Sequence, residues 1–161
     1  MAIKAKKKQQ EPRPLLRSDA GGVVKLTLDR PQARNSLSTG LMAALQAELD
    51  QIHMAADTRV VVIAATGDIF CAGHDLKEIR TNPSQEAYQA LFNQCARLMA
   101  SIVNLPQPVI AQVQGMATAA GCQLVASCDL AVAGMSARFC TPGVHIGLFC
   151  STPMVALSRN V

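Results

Sequence analysis

Aromatic side chains are nearly missing. They make up 3% of the 161 residues, with one Tyr and no Trp. Platforms for stacking unpaired bases are built from such rings, so no nucleic-acid partner is expected. Charge is sparse too, at 16%. A chain that is 50% hydrophobic and so weakly charged can bury a sizeable core, and wholesale disorder is not expected. No apolar run reaches the roughly 20 residues of a membrane helix. No secretory signal pattern opens the chain either. The first residues are rich in Lys rather than in Arg and Ser, unlike a mitochondrial transit peptide. The expected compartment is the cytoplasm, with the mitochondrial matrix as the alternative.

Paired cysteine spacing is also missing. No C-x-x-C occurs, and Cys71, Cys95, Cys122, Cys128, Cys140 and Cys150 are irregularly placed. No metal site is expected from that pattern. Without a secretory route the thiols should be reduced, and most should pack as small core residues. The net charge of +4 owes much to Lys4, Lys6, Lys7 and Lys8. That cluster reads either as contact with an anionic partner or as a solvated tail. Residues 1–14 are taken as a flexible basic tail and 15–161 as one domain.

What is present alternates between two periods. Gly21-Gly22 suggests a turn, and Val24, Leu26 and Leu28 then share one face of a strand over 23–28. Ser38 can cap a helix whose stripe is Leu41, Leu45, Leu49 and Ile52. Val60 to Ala65 is a continuous apolar run, as in a strand buried on both faces. Pro83 suits the first turn of a second helix, with Tyr88, Leu91, Cys95, Leu98 and Ile102 on its buried face. Val109 to Val113 and Leu130 to Ala133 read as strands, with a short Ala-rich helix from about Thr118 to Ser127 between them. Strands alternating with helices argue an α/β fold with crossover connections. Thr152 to Asn160 reads as a helix just beginning, which points to truncation.

Two segments combine a strand, a tight turn and small residues. In Ile69 to Lys77, Gly73 permits the turn and Ala72 leaves room for a ligand. In Gly115 to Gln123, the small residues Ala117, Ala119, Ala120 and Gly121 open a helix, whose first amides are free to meet an anion. Taken singly, each segment reads equally as close packing between backbone elements.

Together the segments resemble a family. Phe70-Cys71-Ala72-Gly73-His74-Asp75-Leu76 resembles the first oxyanion-hole motif of the crotonase, or enoyl-CoA hydratase/isomerase, family. Pro108-Val109-Ile110-Ala111 through Gly121-Cys122-Gln123-Leu124 and Cys128-Asp129-Leu130-Ala131 resembles the second. Asp29-Arg30-Pro31-Gln32-Ala33-Arg34-Asn35-Ser36-Leu37 is similar to the family's N-terminal signature. Ala137-Arg138-Phe139-Cys140-Thr141-Pro142 is similar to the strand before its second catalytic position. The match runs from about Gly22 to the last residue.

The resemblance implies a crotonase-like spiral of ββα turns, here without the C-terminal helical part. It implies an acyl-CoA thioester as substrate, with coenzyme A arriving as part of it and no permanently bound cofactor. The thioester oxyanion would be held by the backbone N–H groups of His74 and Ala120. Ala72, His74, Asp75, Leu76 and Lys77 would line the CoA path, with Arg34, Lys77 and Arg30 as candidates for its phosphates or as ordinary surface charge. A full-length relative would form a homotrimer or hexamer. A chain cut short would expose an apolar face and associate.

Two positions depart from the family pattern. Its hydratases move protons with two glutamates, and here Gln123 and Gly143 stand in those places. Gln123 orients but does not exchange a proton, and Gly143 offers no side chain. Asp75 and Asp129 belong to the motifs and are expected to fix turns, and Glu78 is the remaining nearby carboxylate. The His74 side chain either meets the acyl group, as in family decarboxylases, or bonds locally. His145 could approach the pocket or pack elsewhere. Phe70, Met116 and Phe149 could line the acyl pocket or the core. Cys71 and Cys122 flank the hole without an evident base. An acyl-CoA enzyme working through an enolate and a non-catalytic acyl-CoA binder both remain open.

Overall fold

Leu15–Ala20 (β1) and Val23–Leu28 (β2) form an antiparallel hairpin across Gly21-Gly22, both glycines at positive φ. The computed structural model describes residues 13–147 and 149–160. Alternation made β2 legible, and its buried positions are Val24, Leu26 and Leu28 as expected. β1 has no such alternation, because only Leu15 turns inward. The Lys cluster of the expected basic tail lies outside the described residues.

Thr39–His53 (α1) follows. Its N-cap is Ser38, whose hydroxyl accepts from the Leu41 amide at 3.1 Å. Leu41, Leu45, Leu49 and Ile52 are all buried, together with Met42. Each such side chain contributes about 1.5–3 kcal/mol by leaving water. Val60–Ala65 (β3) then runs parallel to β2.

The chain next adopts a repeating order. Ile69–Cys71 (β4) leads into helices Leu76–Thr81 (α2) and Gln85–Val103 (α3). Val109–Val113 (β5) leads through Met116–Thr118 (β6) into Ala120–Ala126 (α4). Leu130–Ala133 (β7) leads through Arg138–Cys140 (β8) and a 3-10 turn at Pro142–Ile146 into Ser151–Asn160 (α5). The first strand of each unit joins one sheet, ordered β1-β2-β3-β5-β7. The second strand joins another, ordered β4-β6-β8. Apart from the β1–β2 hairpin, every strand pair is parallel. This is the α/β spiral of ββα turns expected from the resemblance.

Three readings of local structure change. Pro83 precedes α3 rather than entering it, because Ser84 is the cap and accepts from the Ala87 amide. Tyr88 is exposed, while Leu91, Cys95, Leu98 and Ile102 are buried as expected. The Ala-rich helix starts at Ala120, because residues 116–118 are claimed by the second sheet. Asp129 was expected to fix a turn; its side chain accepts from the Val109 amide at 2.7 Å and so joins the start of β5 to that of β7.

The end of the larger sheet is bare. Leu130 and Val132 of β7 are 62% and 64% exposed. Phe139, Val144 and Phe149 are exposed as well. Among the described residues no helix is long and apolar enough to cross a membrane.

Candidate functional site

The two small-residue segments meet. Gly73 lies after β4 at φ 88. A Cβ built there would stand 3.0 Å from the Ala119 Cβ, 3.1 Å from the Thr118 carbonyl and 3.3 Å from the Ala120 nitrogen. The loop after β4 therefore lies directly on the N-terminus of α4. Gly121 serves the same approach from inside, since a Cβ there would collide with the Cys71 carbonyl. The small residues are what let the loop after β4 and the start of α4 approach this closely.

The direction of the His74 amide follows from a one-residue parallel bridge with Leu37. Leu37 donates to the Gly73 carbonyl at 2.7 Å, and Asp75 donates to the Leu37 carbonyl at 3.2 Å. In such a ladder the flanking residues face the partner, and the middle residue turns its own N–H away. Among the described residues the His74 N–H has no acceptor, and neither has that of Ala120. Ala120 is the first residue of α4, where no side chain caps the helix. Ala119 before it sits at φ 52, ψ −122 and donates to the Cys140 carbonyl at 3.0 Å. That bond ties the start of α4 to β8 and hence to the turn that carries Gly143.

A polar loop holds the first segment from the other side. Arg34 and Asn35 both have positive φ, at 53 and 50. Asn35 is fully buried, and its side chain donates to the Thr66 and Ile69 carbonyls at 2.8 Å each. It also accepts from the Arg30 amide at 2.8 Å. The Arg34 carbonyl accepts from Ala72 at 3.1 Å. Arg30 reaches the Ser36 carbonyl at 2.7 Å and the Asp75 carboxylate at 3.0 Å. Asp75 also caps α2 by accepting from Lys77 and Glu78. Burial alone would raise the Asp75 carboxyl, but Arg30 and those two amides outweigh it and hold it below the usual range.

The remaining candidates divide. Gln123 is 8% exposed, and its Oε1 is buried without a partner among the described residues. Gly143 is buried in the 3-10 turn. The His74 ring packs edge-on against Phe92 at 5.4 Å between centroids, with Nδ1 buried and unpartnered among the described residues. Burial pushes its imidazole down in pKa, against a smaller opposing effect of the Leu37 backbone, so the ring is neutral at pH 7. Ala72 is half-buried, and Leu76, Lys77 and Arg34 are exposed around the loop. Arg30 is instead tied down, as above. His145 is exposed. Phe70 belongs to the core, while Met116 and Phe149 are exposed.

No spare base emerges among the nearby carboxylates. Asp75 and Asp129 are committed as described, and Glu78 accepts from the Thr39 amide and hydroxyl at 2.8 and 2.6 Å. Burial disfavours the thiolate at Cys71 and Cys122, pushing Cys71 up to about 12 and raising Cys122 as well. Two open clefts of about 360 Å³ each lie elsewhere, one lined by His53 and Arg97 and the other by Gln114 and Arg138. Neither includes His74, Ala120, Gln123 or Gly143.

The family model for enoyl-CoA hydratase/isomerase matches residues 18–161. The chain belongs to this family. It is 51% identical over 142 residues to enoyl-CoA hydratase domain-containing protein 3, mitochondrial, of Xenopus laevis, covering 87% of this chain and 48% of that one. The human protein of the same name is 45% identical over 157 residues, covering 98% and 52%. The chain thus spans about half the length of these curated relatives. Among solved structures, an enoyl-CoA hydratase from Mycobacterium smegmatis superposes with a TM-score of 0.89 at 58% identity. That match covers 94% of this chain and 59% of the other. The human domain-containing protein 3 gives 0.85 at 47% identity, covering 91% and 58%.

In the sequence Asn35 and Ser36 were named only as part of the N-terminal signature, and Ala119 only as one of the small residues opening a helix. Asn is the residue type that most readily takes positive φ after Gly, so Asn35 carried a weak signal. Ala119 was read as small, but nothing in the sequence marked its positive φ.

Proposed function

We propose that this enoyl-CoA hydratase/isomerase family member binds acyl-CoA thioesters and stabilises their enolate or related oxyanion with the His74 and Ala120 backbone amides. The observation that carries the reading is the contact of the Gly73 turn with the Ala120 nitrogen, beside two N–H groups that no described acceptor takes. Preorganised donors of this kind are each worth about 3 kcal/mol of barrier when water is excluded. They are backbone groups, so the change of side chains at other positions leaves them in place. Coenzyme A enters with the substrate, along the loop from Ala72 to Lys77, with Arg34 and Lys77 exposed beside it. Two-carboxylate hydration is not part of this reading, because Gln123 and Gly143 supply no proton-exchanging group and the neighbouring carboxylates are engaged. The substrate class suggests a place in fatty-acid metabolism. The word mitochondrial in the names of the vertebrate relatives favours the matrix over the cytoplasm. Assembly as a trimer or hexamer belongs to the same reading of the full-length protein.

A second reading has its own support. Loss of CO2 from a malonyl-type CoA ester leaves its electrons on the enolate and asks for no carboxylate from the protein. The neutral Gln123 amide and the neutral His74 ring suit that better than hydration. Calorimetry with acetyl-CoA, followed by turnover assays on crotonoyl-CoA and on malonyl-type esters, tests both. Binding with little hydration of crotonoyl-CoA is expected. Release of CO2 would select the decarboxylase reading, and binding without any turnover would select a binding or scaffold role. Failure to bind any CoA ester would overturn the proposal.

A further inference from the structure

We propose that Arg30 is a positioning residue: its guanidinium, held between Ser36 and Asp75, fixes the direction of the His74 amide. The inference rests on the oxyanion-hole reading and adds to it what sets the hole's geometry. Arg30 was a candidate for coenzyme A phosphate, but its terminal nitrogens are occupied. One donates to the Ser36 carbonyl at 2.7 Å, with the Ser36 hydroxyl at 3.5 Å, and the other donates to Asp75 at 3.0 Å. The two side chains of the ion pair are 21% and 14% exposed. The Ser36 hydroxyl donates to the same Asp75 oxygen at 3.3 Å.

The mechanical consequence follows from where these bonds fall. The loop carrying His74 is fixed before it, by Ala72 to Arg34 and by Leu37 to Gly73. After it, the Asp75 backbone is fixed by Leu37, and the Asp75 side chain by Arg30 and Ser36. The other Asp75 oxygen caps α2. The His74 N–H shares a peptide plane with the Gly73 carbonyl, which Leu37 grips, and Arg30 holds the Ser36 carbonyl at the other side of the 36–37 peptide that carries that Leu37 N–H. Arg suits the position because its planar fork spans two acceptors at fixed directions, which a Lys ammonium does not. The loop that supplies Arg30 is itself pinned by the buried Asn35.

The test uses the full chain with acetoacetyl-CoA, a 3-oxoacyl thioester whose enolate absorbs in the near ultraviolet. Free coenzyme A is the control for phosphate contact. The wild type should bind acetoacetyl-CoA as the enolate. Arg30→Lys should keep its affinity for free coenzyme A and lower the enolate fraction of bound acetoacetyl-CoA by about tenfold, as expected when one donor is misaimed rather than removed. Asp75→Asn is the milder variant. It retains an oxygen for the α2 cap and should lower the enolate fraction in the same direction with the fold intact. If both variants hold the enolate as well as the wild type, the positioning role is overturned while the hole stands. If Arg30→Lys instead weakens free coenzyme A and leaves the bound enolate fraction unchanged, Arg30 is a phosphate ligand and the inference is overturned. If the wild type itself yields no enolate, the hole fails and the inference falls with it.

Discussion

Ala119 carries a side chain in a backbone region that glycine occupies freely. Its φ of 52 with ψ −122 is imposed from both sides, by β6 before it and by the start of α4 after it. The strain is stored where the Ala120 amide must point outward. Relief of such a conformation by glycine outweighs the added freedom of the unfolded chain. Ala119→Gly should therefore stabilise the fold by about 1 kcal/mol, read as a higher urea midpoint with an unchanged slope. A lower midpoint would mean that the Ala119 methyl contributes more through packing than its backbone costs. Residues acting locally were legible in the sequence. Ser38 caps the helix that follows it, and Gly73 makes the turn beside it. The Arg30–Asp75 pair was not legible as a pair, because 45 positions separate the partners and no local pattern links them. Both residues were noted singly, Arg30 as a candidate for coenzyme A phosphate or as ordinary surface charge.

Elements were legible where burial imposed a period. β2 shows alternation, and β3 and β5 are apolar runs flanked by turns. α1 shows a stripe, and each of these was found at its expected place. β4 and β6 are three residues long, too short to display a period, and α2 buries none of its residues. β4 and β6 pair with each other and pack on α4, so the elements that join the small-residue segments were the least visible part of the sequence. β7 was read correctly from its Leu-Ala-Val-Ala run but is exposed throughout. An apolar strand at the open end of a sheet offers unpaired backbone to another chain. This chain should therefore self-associate at micromolar concentration, and Val132→Lys should reduce it with little effect on the melt, as checked by light scattering. A monodisperse monomer in the wild type would contradict that expectation.

The described residues form two sheets, parallel apart from the β1–β2 hairpin, fed in turn by each ββα unit. That alternation places the loop after β4 against the helix after β6, although His74 and Ala120 are 46 positions apart in the 161-residue chain. The family resemblance made this meeting foreseeable, whereas periodicity alone did not. The structure adds that Asp75, Glu78 and Asp129 are each bonded elsewhere. The central claim is that the His74 and Ala120 amides grip a thioester oxygen. Isotope-edited infrared spectroscopy of acetyl-CoA labelled with 13C at its thioester carbonyl reads that grip directly. The bound carbonyl should stretch at a lower frequency than in water, because two aligned N–H donors polarise it more strongly. Ala120→Pro deletes one donor at a helix position that tolerates proline, and with a native-like melt it should lose much of the shift. A bound carbonyl that absorbs as it does in water, or a shift unchanged in Ala120→Pro, would contradict the account.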